Sequence, residues 1–252
     1  MRIYNIVYFL IIIFFFFTSM GFGVDESMVL HFTFDEGEGD KLIDDSIHGN
    51  NGALIGSPKW VDGKSGKALE FDAGGDSVEV KSSDSINVTQ AITMEMWVKT
   101  PGGAEVKQAG IEKGSWAVGE YSIYPVYEGG TVIQFFDLPP ACGDAGIRGP
   151  GIADNEWHHL AGTWDGTTIN LYIDGELVKS GGCAGELKES NESLHIGSRL
   201  GGERYLTGTV DEVRIYNRSL SQDEIKKDMV SFGPSPVSPM ESLTTCWGAI
   251  KF

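Results

Sequence analysis

The residues of this chain whose types and spacing suit chemistry are hard oxygen donors. Asp35, Asp44, Asp45 and Asn50 cluster near the start, and Asp211 stands in a distant apolar-alternating segment. Calcium takes six to eight oxygens at roughly 2.3–2.6 Å from carboxylates, amides and backbone carbonyls. The loop Asp45-Ser46-Ile47-His48-Gly49-Asn50-Asn51-Gly52 offers all three kinds, because its glycines let carbonyls converge. If the strands carrying Asp35 and Asp211 pair, the expected ligands are Asp35, Asp45, Asn50 and Asp211. The competing reading makes Asp35 and Asp45 ordinary turn and cap aspartates, a common use of that residue, and Asp211 a hydrogen-bonding group.

Other constellations are weaker. His158 and His159 are adjacent in a strand-like run, so they point to opposite faces and do not share an ion. One is expected to pack in the interior and the other to cap its surface. There is no Gly-x-Ser-x-Gly elbow, no His-Glu-x-x-His and no phosphate loop. Aromatic residues concentrate in the centre: Trp116, Tyr121, Tyr124, Tyr127, Phe135 and Phe136. Trp116, Tyr121 and Tyr124 are the candidates for stacking on a sugar face. Against that, both phases of the Trp116–Tyr124 strand carry large residues, so one set belongs to the core and only one of Tyr121 and Tyr124 is expected at the surface.

The elements that must position these residues are short. Segments alternating with period two include Val29–Phe34, Ile92–Val98, Trp157–Trp164, Thr168–Ile173 and Val210–Tyr216. Such alternation marks strands with one buried face. Asp165-Gly166 and Asp174-Gly175 fall between strand runs and predict hairpins with type I′ turns. The fold class is all-β, an antiparallel two-sheet sandwich. One short C-terminal helix is expected from the capping box Ser221-Gln222-Asp223-Glu224, with Ile225, Met229 and Phe232 on its apolar edge. Beyond it, 233–252 reads as a Pro-rich linker and short tail.

Residues 1–23 carry one cation, Arg2, then an apolar run from Ile6 to Phe17 and a small-residue exit, the pattern of a cleaved signal peptide. An uncleaved anchor is the other reading. The expected location is secreted, periplasmic or at the cell surface, with no membrane insertion once the signal is removed. Among three cysteines, Cys142 and Cys183 sit in glycine-rich loops and are the expected disulfide, worth about 4 kcal/mol on the chain-entropy view. With 36 acidic against 19 basic residues and a formal charge of −17, the chain repels phosphate backbones, which argues against nucleic acid as a partner.

From Met28 to Phe232 the order of elements resembles the LamG-like members of the concanavalin A-like lectin/glucanase superfamily. The resemblance rests on Phe32-Thr33-Phe34-Asp35-Glu36-Gly37, Asp45-Ser46-Ile47-His48-Gly49-Asn50, Gly66-Lys67-Ala68-Leu69-Glu70-Phe71, Thr93-Met94-Glu95-Met96-Trp97-Val98, Trp157-His158-His159-Leu160-Ala161-Gly162 and Gly208-Thr209-Val210-Asp211-Glu212-Val213-Arg214-Ile215-Tyr216. It implies a jelly roll over 28–232 with adjacent first and last strands, and calcium at the acidic cluster. Glucanases on this fold carry alternating acidic residues on one strand so that acid and nucleophile share a face. No Glu-x-Asp-x-Glu triplet occurs here. The expectation is a non-catalytic binding module for carbohydrate or glycoprotein. The alternative is a surface adhesion or structural protein whose protein partner meets its loops or its C-terminal tail.

Overall fold

The computed structural model describes residues 25–102, 106–114, 119–136, 138 and 146–232. The proposed signal segment, the tail from 233, Trp116 and Cys142 lie outside those residues. The described chain forms two antiparallel sheets and one helix. The first sheet contains β1 (Met28–Phe32), β4 (Lys59–Asp62), β5 (Lys67–Asp72), β7 (Ile92–Lys99), β12 (Trp157–Trp164), β13 (Thr168–Ile173), β14 (Glu176–Gly182) and β16 (Thr207–Tyr216). Its order is β14-β13-β12-β7-β16-β5-β4, with β1 also paired to β16. The second contains β2 (Lys41–Leu42), β3 (Gly52–Ile55), β6 (Ser77–Val80), β8 (Ile111–Lys113), β9 (Tyr121–Tyr127), β10 (Gly130–Phe135), β11 (Ile147–Gly149) and β15 (Leu194–Ile196). Its order is β11-β10-β9-β8-β15-β6-β3-β2.

Period-two alternation builds the core between the sheets. On β7, Ile92, Met94, Met96 and Val98 point inward, joined by Leu160 and Trp164 of β12 and by Ile111, Ile123 and Ile133 of the second sheet. Removing this apolar surface from water is worth about 25 cal/mol per Å² and drives the layers together. Phe135 and Trp164 meet across the gap with ring centroids 5.5 Å apart. Gly162 is required where it stands: a Cβ there would run into the Ile133 side chain of the facing sheet.

The first and last strands are neighbours, with Phe32 opposite Val213 and His31 opposite Arg214. Both predicted hairpins form, but their turns differ. Asp174 and Gly175 take φ of 52° and 75°, the positive pair a type I′ turn needs. At the other turn only Gly166 is positive, and Asp165 instead accepts from the Thr167 and Thr168 N–H groups at 2.8 and 2.7 Å. The side chain of Asp165 thus replaces backbone geometry as the turn former.

The helix, α1 (Gln222–Asp228), has the predicted reciprocal capping box between Ser221 and Glu224. It ends before Phe232, which is 42 % exposed. Ile225 packs with Ala161, Tyr172, Tyr216 and Leu220 on the outer face of the first sheet. That placement corrects the histidine expectation. His159 is buried, yet it lies on the outer face beside Trp97, with centroids 5.4 Å apart. His158 is held at the rim by Asp174 (2.8 Å) and Asp154 (3.2 Å).

Candidate functional site

The acidic residues do not gather as one set. Among the described residues, no group of three or more His, Cys, Asp or Glu side chains is arranged to hold a metal. Two of the four expected ligands, Asp35 and Asp211, approach the same turn, the one joining β4 to β5. Lys67 N–H donates to Asp35 Oδ1 at 2.8 Å, and Ser65 N–H donates to Asp211 Oδ2 at 3.0 Å. Asp211 is delivered there by a bulge in β16: the register against β7 shifts between Asp211 and Arg214, and Glu212 takes φ of 50°. Burial, reinforced by the charge of Glu212, pushes the Asp211 carboxyl up to about 7, although amide donors from Ser65, Glu212 and Lys64 hold it down.

The other two expected ligands stand elsewhere. Asn50 uses its whole amide on protein: Nδ2 donates to Val29 O (2.7 Å) and Ser85 Oγ (2.8 Å), and Oδ1 accepts from Ser83 Oγ (2.6 Å). It is a structural post, not a free donor. Asp45 faces Thr33, His31 and Glu36, and burial raises its carboxyl. The loop they share is organised by Asp44, which the sequence reading passed over as a ligand. Asp44 Oδ1 accepts from His31 and Ser46 N–H, each at 2.9 Å, and Oδ2 accepts from Ser46 Oγ and Asn50 N–H, each at 2.7 Å. The run Asp44-Asp45-Ser46 carried that signal, since an Asp followed by a Ser two residues on forms a side-chain-bonded turn.

Whether the β4–β5 turn suits calcium can be tested on its oxygens. A Cβ added to Gly63 would meet Asp211 Oδ2 at 2.6 Å, Lys67 O at 2.7 Å and Ser65 O at 2.8 Å. One added to Gly66 would meet the Asp35 carboxylate. The glycines therefore let Asp211 close on the turn beside the Ser65 and Lys67 carbonyls and let Asp35 close on it at Gly66, and these oxygens are of the kind calcium takes.

Of the aromatic candidates, Tyr121 and Tyr124 do not form a sugar platform. Tyr121 is buried between the sheets, and its hydroxyl donates to Ile86 O at 2.9 Å. Tyr124 points to the opposite face of β9 but is buried too, its hydroxyl bonded to Glu112 and to Arg204 Nη1 (2.7 Å). The expectation that one of them is exposed fails because the segment around Arg199–Arg204 covers that face. Beneath it lies a cluster the sequence reading missed. Arg199 Nε donates to Glu112 Oε1 at 2.8 Å, and its Nη2 stands 3.8 Å from Glu120 Oε2. Burial raises Glu112 to about 7. All three side chains are shut away from solvent, so the acids bracket a guanidinium and no substrate. The only sequence trace was Glu112 alternating with Ile111 and Lys113.

At the edge of that cover a surface groove of about 530 Å³ opens, lined by Ala73, Val106, Lys107, Glu128, Arg204 and Tyr205. Lys107 Nζ lies 4.4 Å from the Tyr127 ring centroid, and Arg148 Cζ lies 4.6 Å from the same ring. Cys183 is buried, and its carbonyl accepts from Trp164 Nε1 at 2.9 Å; its expected partner Cys142 is outside the described residues.

Comparison with known proteins agrees with this geometry at the level of fold. The binding domain of Paraclostridial Mosquitocidal Protein 1 superposes with a TM-score of 0.66 at 17 % identity, covering 82 % of this chain and 52 % of that one. Domain 4 of AbnA, a GH43 extracellular arabinanase from Geobacillus stearothermophilus solved with arabinotriose, gives 0.62 at 19 % identity, covering 81 % and 98 %. The binding domain of botulinum neurotoxin DC, solved with rat synaptotagmin II, gives 0.61 at 13 %, covering 82 % and 52 %. The chain thus spans about half the length of those toxin domains. No match is found among curated proteins. The Laminin_G_3 pattern matches residues 72–226, more than half of the chain. With its two antiparallel sheets and paired terminal strands, this chain belongs to the Laminin_G_3 family of the concanavalin A-like lectin/glucanase superfamily.

Proposed function

We propose that the protein is an exported, non-catalytic module that binds carbohydrate or glycoprotein, with a structural calcium ion at the β4–β5 turn. The observation that carries the binding reading is the groove of about 530 Å³, which sets Tyr205 and the alkyl surfaces of Val106 and Ala73 beside charged groups. That mixture suits a sugar, whose ring has an apolar face and a polar rim. The likeness in fold to an arabinanase domain solved with arabinotriose supports the reading.

The non-catalytic part is supported by the acids on the covered face of the second sheet. Glu112 and Glu120 are spoken for by Arg199 and have no solvent access. A glycosidase needs two carboxyl groups open to one substrate. Asp35 and Asp211 would hold the calcium together with the carbonyls of Ser65 and Lys67, and the ion would clamp β16 to the β4–β5 turn. Export, to the medium, periplasm or cell surface, rests on the apolar segment before residue 24. Among the described residues no helix is long and apolar enough to cross a membrane.

A glycan array probed with calcium and again with chelator tests the proposal. Binding to a defined glycan class is expected; silence across plant, microbial and animal glycans overturns it. The second reading, a protein partner at the same loops or at the tail, draws on Val106, 66 % exposed at the groove, and on the fold shared with a toxin domain solved with synaptotagmin II. Deleting 233–252 and measuring release from cells tests the tail; unchanged partitioning rejects it.

A further inference from the structure

The groove is electrostatically unlike the rest of the chain. Acidic residues outnumber basic ones 36 to 19, yet two cations, Lys107 and Arg204, line it, and a third, Arg148, reaches its edge through Glu128. Lys107 and Arg148 both lie on the Tyr127 ring, at 4.4 and 4.6 Å, and Arg204 lies 5.4 Å from the Tyr124 centroid. The two rings are themselves in edge contact, with centroids 5.4 Å apart. Rings beneath cations hold them in place, so the charges are oriented before any ligand arrives.

One acid shares the lining, and its contacts show where an anion fits. Glu128 sits at the β9–β10 hairpin with φ of 51°. Its Oε2 accepts from Arg148 Nη1 at 3.1 Å, and its Oε1 stands 3.4 Å from Lys107 Nζ. Those cations hold its carboxyl below the usual range. Yet Glu128 is 54 % exposed, and exposed pairs of this kind are weak. A second carboxylate or a sulfate can take over Lys107 at little cost, with Arg204 on the same lining beside it.

We infer that the groove takes a short acidic saccharide, its carboxylate or sulfate bound by Lys107 and Arg204 in competition with Glu128, its ring against Tyr205 and Val106. This rests on the proposed reading of the groove as a glycan site and narrows it to one class. Apolar walls distinguish the ligand from a bare inorganic anion. The net charge of −17 distinguishes it from a long polyanion, which the remainder of the surface would repel.

Calorimetric titration of the purified protein with trigalacturonate, a sulfated galacto-oligosaccharide and arabinotriose tests this. Lys107→Met, which keeps the alkyl stem over Tyr127, should weaken the acidic ligand about two- to fivefold. Glu128→Gln, which removes the competitor, should strengthen it by a similar factor. Arabinotriose, which has no charge to set against Lys107, should not show these opposite responses to the two variants. Both side chains are at the surface, so neither variant empties the core. Carboxylate and sulfate ligands are separated by which titrates. If arabinotriose binds as tightly as the acidic ligands and neither variant matters, the acidic inference falls and the glycan reading stands. If no saccharide binds, both fall.

Discussion

Asp35 and Asp211, far apart in sequence, grip one turn from two sides: Lys67 N–H donates to Asp35 at 2.8 Å and Ser65 N–H to Asp211 at 3.0 Å. If calcium binds at this turn, it stabilises the folded chain by mass action, about 2.7 kcal/mol at a hundredfold excess over Kd. Thermal melting should show a calcium-dependent rise in Tm. Asp211→Asn, which preserves an amide acceptor, should abolish the rise, and Asp35→Asn should reduce it. Asn50→Ala should lower Tm with and without calcium by the same amount, because its amide ties Val29, Ser83 and Ser85 together. A full calcium response in Asp211→Asn would sink the site.

His159 is fully buried with both ring nitrogens unbonded. An unpaired buried polar group costs about 1–3 kcal/mol. His159→Leu should therefore stabilise the protein by about 1 kcal/mol, read as a shift in urea midpoint at constant slope. The pH dependence follows from the same burial, which with the nearby Arg214 pushes the imidazole down to about 3. The unfolded chain takes up this proton near pH 6.5 and the folded one does not. Stability from His159 is thus complete above pH 6.5 and drains away as pH falls toward 3. The leucine variant should lose that part of the acid sensitivity.

Arg199 separates two buried acids. Arg199→Met leaves Glu112 and Glu120 without their cation and should cost about 3–5 kcal/mol in chemical unfolding. Glu112→Gln in that background should recover part of the loss. In the wild-type background Glu112 binds its proton up to about pH 7 when folded but only to about 4.5 when unfolded. Its stabilisation is full below 4.5 and disappears as pH rises through 7, a slope that Glu112→Gln should flatten.

The pairing of Cys142 with Cys183 remains our proposal. Peptide mapping without reductant should recover the two cysteines in one cross-linked fragment. Cys183→Ser should then lower stability by about 4 kcal/mol. Recovery of Cys183 linked to Cys246 would replace this pairing with the other.

How much could be read beforehand depended on whether a property was local. Strand positions followed from alternation, since Ile92-Thr93-Met94-Glu95-Met96 puts its apolar residues on one face, which forms the core between the sheets, and the capping box at Ser221 and Glu224 is complete within four residues. Long-range company was harder. Asp35 and Asp211 were legible as meeting one turn only through strand order, and the amide of Asn50 is spent on protein because the Asx turn made by Asp44 uses the same residue types as a cation loop. Tyr124 was misjudged for another reason: alternation places it on the outer face of β9 but is silent on what covers that face. The groove was invisible, because Lys107, Arg148 and Arg204 share no motif and meet only on two tyrosine rings.

The last strand sits in the interior of its sheet, with β7 along one edge and β1 and β5 end to end along the other. A growing polypeptide that has not yet reached Thr207 has three strands waiting for a partner that does not exist. Nothing upstream can substitute, because the bulge carrying Asp211 is written into that final segment. Assembly of this sheet therefore waits until the chain through Tyr216 has been made, and those three strands keep an open edge until then.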